Sequence, residues 1–143
     1  MKYIKNFAVF SLLALFLSTA AYAEKKDVPA MLEGTQKVTA EEAIELIGSM
    51  DDLVVIDARK VSDHEKGWIE GSISLPNTET TPESLAKAAP SKSAPLLIYC
   101  NGVKCGRSYE SAQKAMEYGY SKIYWFRGGM EEWEAKGLPV VKE

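Results

Sequence analysis

The 143-residue sequence has one histidine, His64, and two cysteines, Cys100 and Cys105. So small a set excludes a four-ligand Cys/His zinc site of the usual kind. A Cys–His catalytic pair is open only if His64 folds beside a cysteine. Positive charge is also short: 17 Lys and Arg face 20 Asp and Glu, for a net charge of −3. An acidic chain argues against non-specific binding to nucleic acid or to an anionic membrane surface. There is no internal repeat and no low-complexity segment. Nothing calls for a metal or an organic cofactor. The longest apolar stretch, residues 7–20, falls short of the roughly 20 residues that span a bilayer.

That stretch has a different use. Lys2 and Lys5 precede it, and Ala21-Tyr22-Ala23 follows it, just before the charged Glu24-Lys25-Lys26. A basic start, an apolar middle and a small-x-small site are the three parts of a secretory signal peptide. Residues 1–23 are therefore expected to be removed after Ala23, leaving a periplasmic or secreted protein with no stable membrane anchor. No cysteine follows the site directly, so lipid attachment there is unsupported. Removing 23 residues that carry two lysines and no acid leaves 120 residues and shifts the net charge from −3 to −5. That is the size of one ordinary domain. Residues 24–36 are polar and aperiodic and read as a flexible leader. The domain is expected over 37–143.

Within it, Thr39-Ala40-Glu41-Glu42 reads as a capping box, followed by apolar residues at helical spacing and Gly48 as a stop. Apolar runs at 53–56 and 95–99 fit strands buried on both faces. Residues 72–75 form a short strand closed by Pro76. Thr81 before Pro82 starts a helix over 82–89. A helix over 108–118 stops at Gly119, a strand follows over 122–126, and a last helix over 129–136 stops at Gly137. Alternating strands and helices predict an α/β domain with a mostly parallel sheet and helices on both faces. Ligands of such sheets sit at the carboxyl ends of strands. Two loops qualify, 57–67 and 100–107.

The second carries the chemistry. Cys100-Asn101-Gly102-Val103-Lys104-Cys105-Gly106-Arg107-Ser108 joins a strand to a helix. Gly102 and Gly106 permit close approach of a ligand to the backbone. Lys104 and Arg107 are cationic, and the loop has no acid. It opens into a helix N-terminus, whose unpaired N–H groups favour anions. A free thiol titrates near pH 8.5, and such a setting favours the reactive thiolate without a histidine base. The alternative is a buried, inert core cysteine.

At these residues the sequence resembles the rhodanese-like domains. Val55-Ile56-Asp57-Ala58-Arg59, with Gly67-Trp68-Ile69-Glu70-Gly71-Ser72-Ile73 and Leu75-Pro76, is similar to the family's first block. Tyr99-Cys100 through Arg107-Ser108 is similar to its active-site block. Phe126-Arg127-Gly128-Gly129-Met130, Trp133 and Gly137-Leu138-Pro139-Val140 resemble its C-terminal signature. The resemblance implies a three-layer sandwich and a thiosulfate sulfurtransferase-like enzyme. Cys100 would take sulfur from a small anionic donor such as thiosulfate as a persulfide, then pass it to a thiol, cyanide or an unidentified protein acceptor. It also implies that residues 101–107 (Asn101, Gly102, Val103, Lys104, Cys105, Gly106, Arg107) hold the anion, and that Asp57 and Arg59 buttress the loop. For Asp57 and Arg59 the plain alternative is a surface ion pair.

Three features depart from the pattern. The loop is longer than is usual in single-domain rhodaneses, which leaves the donor open. Trp68 stands where many members have histidine and reads as core or pocket rim; His64 reads as a loop residue with no catalytic part. The third departure is Cys105. It fills space, resolves a Cys100 persulfide, or forms a protective disulfide with Cys100; an oxidising compartment favours pairing. Competing functions are a thiol–disulfide oxidoreductase using both cysteines and a sulfur-carrying binding module. A phosphatase is weaker, because no acid for the leaving group can be named.

Overall fold

A computed structural model describes residues 27–143. The expected signal peptide and its expected cleavage site lie outside the described residues. Five strands form one parallel sheet: β1 (Gln36–Lys37), β2 (Val54–Asp57), β3 (Ile73–Ser74), β4 (Leu96–Tyr99) and β5 (Ile123–Phe126), in spatial order β1-β5-β4-β2-β3. The helices are α1 (Ala40–Ser49), α2 (Val61–His64), α3 (Pro82–Ala88), α4 (Arg107–Glu117) and α5 (Gly129–Ala135). A 3-10 turn (Asn77–Glu79) follows β3.

Side-chain alternation along the central strands builds two cores. Ile56, Leu96, Ile98, Ile123 and Trp125 face Leu85 of α3 and Ala112 and Ala115 of α4. Val55, Leu97, Tyr99 and Phe126 face Ala40 and Ala43 of α1 and Met130 and Trp133 of α5. Helices thus cover both faces of the sheet, as expected from the strand–helix alternation. Burying each large side chain contributes about 1.5–3 kcal/mol. Small residues on α4 let its backbone approach β4 and β5.

The expected elements are present with ends moved by a residue or so; the capping box expected at Thr39 forms, and a second forms at Thr81 with Ser84. Three pieces were not foreseen: β1, α2 and the 3-10 turn. The expected domain start at residue 37 is also too late. Gln36 already pairs with Tyr124, and Leu32 is buried in the core beside Trp125. Arg127 donates to the carbonyls of Pro29 (3.0 Å) and Val28 (3.0 Å), and Lys37 Nζ to that of Ala30 (3.2 Å). Residues 27–36 are therefore packed against the domain. Their polar, aperiodic sequence hides this, because Leu32, the half-buried Val28 and backbone groups make the contacts.

Candidate active site

Parallel pairing sets Asp57, the last residue of β2, beside Tyr99, the last of β4. The next residue is Cys100, so the sheet places it at the carboxyl edge, where the loop begins. Cys100 is 1 % exposed. The N-terminus of α5 clamps it: Met130 N donates to the Cys100 carbonyl (3.0 Å) and Glu131 N to the Asn101 carbonyl (2.8 Å). This approach requires Gly129. Its φ is +56°, and a Cβ there would lie 2.2 Å from the Cys100 carbonyl oxygen.

The loop turns back on itself through Cys105 N donating to the Gly102 carbonyl (2.9 Å). Cys100 and Cys105 are joined by a disulfide, with Cα atoms 6.4 Å apart. Ser108, one residue inside α4, is buried and accepts a hydrogen bond from the Trp125 indole (3.0 Å). That bond ties the start of α4 to β5. The first-turn amides of α4 have no acceptor within the helix, and no side chain caps them.

Beneath the loop lies a buried charge network. The Asp57 carboxylate, fully buried, accepts from Arg59 Nε (2.9 Å) and Nη2 (2.6 Å), from the Tyr99 hydroxyl (2.9 Å) and from His64 Nδ1 (2.8 Å). Arg59, 5 % exposed, also donates to the Gly67 carbonyl (2.7 Å). Burial opposes charge on Asp57, but the hydrogen bonds from Arg59 and His64 outweigh it and hold the carboxyl below its usual range. Burial, aided by the Asp57 charge, pushes the Tyr99 hydroxyl up. The surface ion pair weighed for Asp57 and Arg59 is thus excluded; the pair is buried and adjoins the residue before Cys100.

The expected anion-holding residues do not all converge. Arg107 Nη1 donates to the buried Asn77 side chain (2.6 Å), which also pairs with Glu110. Lys104 and Val103 are exposed. Asn101 leans on Asp63 (3.4 Å), Gly102 lies under the Glu131 carboxylate, and Gly106 under Val28. A cavity of ≈ 290 Å³ beside the loop is lined by Arg59, Lys66, Asn101, Asp63, Glu131 and Glu134, among others. Acids contributed by α2 and α5 therefore offset the basic character expected of the loop. His64 ends α2 rather than lying in a loop. It bonds Asp57 and stacks on the half-buried Trp68, ring centroids 4.8 Å apart. Only the fold brings together residues seven positions apart, so no local signal marked His64. Asn77 and Glu131 escaped notice for the same reason.

Comparison with known proteins agrees with this architecture. The family model described as rhodanese-like domain matches residues 39–136. YibN, an uncharacterized protein of Escherichia coli strain K12, is 29 % identical over 106 residues, covering 73 % of this chain and 71 % of its own. A sulfurtransferase of Allochromatium vinosum is 26 % identical over 105 residues, covering 73 % and 94 %. The solution structure of a polysulfide-sulfur transferase homodimer from Wolinella succinogenes superposes with a TM-score of 0.63 at 22 % identity, covering 77 % of this chain and 80 % of that one. With the family model spanning well over half of its length, this chain belongs to the rhodanese-like domain family.

Proposed function

We infer that this protein is an exported sulfurtransferase that moves sulfane sulfur through a persulfide on Cys100. The observation that carries the reading is the position of Cys100. It directly follows the last residue of a central strand of a rhodanese-like domain and opens a loop that runs into the uncapped N-terminus of α4. In the reduced protein the Cys100 thiolate attacks the outer sulfur of an anionic donor such as thiosulfate. The donor's S–S bond breaks, sulfite leaves, and the sulfur stays on Cys100 as a persulfide. A thiol or cyanide then attacks that outer sulfur and frees the thiolate. Such a two-step covalent transfer runs with ping-pong kinetics. Loop amides and the first turn of α4 offer partners for the negative charge. The sulfurtransferase name of the Allochromatium vinosum relative and the polysulfide-sulfur transferase name of the Wolinella succinogenes structure support this class of reaction.

Because Cys100 is disulfide-bonded to Cys105, activity requires prior reduction. The test is sulfite release from thiosulfate by the reduced protein, expected at one equivalent per chain and absent in Cys100→Ser. Release by Cys100→Ser, or none from the reduced wild type, would remove the reading. Export is tested by N-terminal sequencing of the purified protein, expected to begin at Glu24.

The same disulfide favours one second reading, a thiol–disulfide oxidoreductase. That reading requires insulin reduction that depends on both cysteines. Sulfite release that survives Cys105→Ala, without insulin turnover, would remove it.

A further inference from the structure

Resting on the sulfurtransferase reading, we propose that Cys105 resolves the Cys100 persulfide, so that the protein reduces sulfane sulfur to sulfide at the expense of a dithiol. Cys100 and Cys105 have Cα atoms 6.4 Å apart, inside the ~4.4–6.8 Å range that a disulfide spans. The loop is thus already shaped to bring the two sulfurs together. Their surroundings differ in a way that assigns roles. Cys100 is 1 % exposed and clamped by Gly129 and Met130. Cys105 is half-buried, next to the exposed Val103 and Lys104. An acceptor arriving from solvent must reach a persulfide on a buried residue. Cys105 is tethered in the same loop, and tethering raises its effective concentration far above that of a free thiol.

The chemistry balances as follows. Cys100-S⁻ attacks the outer sulfur of thiosulfate, giving Cys100-S-S⁻ and sulfite. The Cys105 thiol gives its proton to solvent and its sulfur attacks Sγ of Cys100. The bond between Cys100 and the transferred sulfur breaks, that sulfur keeps the electron pair and takes one proton from solvent, HS⁻ leaves, and the Cys100–Cys105 disulfide forms. The transferred sulfur is reduced and the two cysteines are oxidised. Attack on the outer sulfur would only move the persulfide to Cys105 and is reversible. Resetting the enzyme requires a dithiol, small molecule or protein. It attacks the accessible Cys105 sulfur and expels Cys100 as thiolate, the ordinary course of thiol–disulfide exchange. The Cys100–Cys105 disulfide of the structure then corresponds to the oxidised state that a dithiol must reduce.

The experiment uses fully reduced protein, freed of reductant and kept anaerobic, mixed with thiosulfate. Intact mass, sulfite and trapped sulfide are read together. Wild type is expected to end about 2 Da below its reduced mass, with one sulfide and one sulfite per chain. Cys105→Ser is expected to end about 32 Da above its reduced mass, with one sulfite and no sulfide. A wild type that keeps the extra sulfur and releases no sulfide would overturn the role of Cys105 and leave sulfur transfer standing. Absence of sulfite and of any mass change in both proteins would overturn sulfur transfer itself. If Cys105→Ser fails to fold, the wild-type mass and sulfide count alone decide the matter.

Discussion

Five donors converge on the Asp57 carboxylate: Arg59 through N, Nε and Nη2, His64 through Nδ1, and Tyr99 through its hydroxyl. Removing the charge strands Arg59 in the interior. Asp57→Asn is therefore expected to cost about 3–5 kcal/mol, the usual result of breaking a buried pair. The pH dependence follows from the sign of the shift. The folded carboxyl sits below its ordinary value, so its contribution is fully present above about pH 4 and is lost as pH falls through the folded value. Thermal melts from pH 7 down to pH 2 should show the gap between wild type and Asp57→Asn shrinking in acid; a constant gap would contradict this. A second residue-scale expectation concerns Glu131, whose carboxylate overlies Gly102 in the loop. Its charge opposes an anionic donor. Glu131→Gln is expected to lower KM for thiosulfate about 2–10-fold at low salt, with the difference fading at high salt. Steady-state kinetics at two ionic strengths check it. Cys100 was legible because its glycines, cations and strand-end position lie in nine consecutive residues. His64 and Glu131 were not, because their contacts are made across elements.

At the scale of elements, α5 is the lid of the loop. Its first residue, Gly129, combines a positive φ with a 2.2 Å approach that no side chain tolerates. Gly129→Ala is expected to cost about 1–3 kcal/mol for the left-handed backbone alone, before the clash is counted. In a domain near 100 residues that lowers Tm by at least about 4–8 °C per kcal/mol, measurable by circular dichroism. An unchanged Tm would mean that the clamp is not rigid. Gly137 also has a positive φ, but a Cβ there meets nothing, so Gly137→Ala is the milder control. The longer elements could be read from the sequence because capping boxes and apolar runs are local signals. Strand β1 could not, since two residues carry no period. Helix α2, four residues long, fails for the same reason.

At the scale of the whole molecule, the two-sided cores follow from alternation along β2, β4 and β5, whereas the sheet order has no local signal. The upstream segment has none either, because it is held by carbonyl acceptors that every residue type supplies. Its packing makes a testable claim. A chain starting at residue 33 loses Leu32 from the core, along with the Val28 and Pro29 carbonyls that receive Arg127. Losing the leucine alone should cost about 2–5 kcal/mol. Chemical denaturation of this chain against one starting at Glu24 checks it, and equal stability would contradict the packing. The segment also rests on Gly106, at the start of α4, through Val28. The same truncation is therefore expected to loosen the loop that contains Cys105, seen as faster amide exchange over residues 101–107. All of these effects bear on one event, the arrival of a sulfur atom on Cys100. It is tested most directly by intact mass and peptide mapping of reduced Cys105→Ser after exposure to thiosulfate. The account predicts a gain of about 32 Da located on Cys100. A protein that remains at its reduced mass, or carries the sulfur elsewhere, would contradict it.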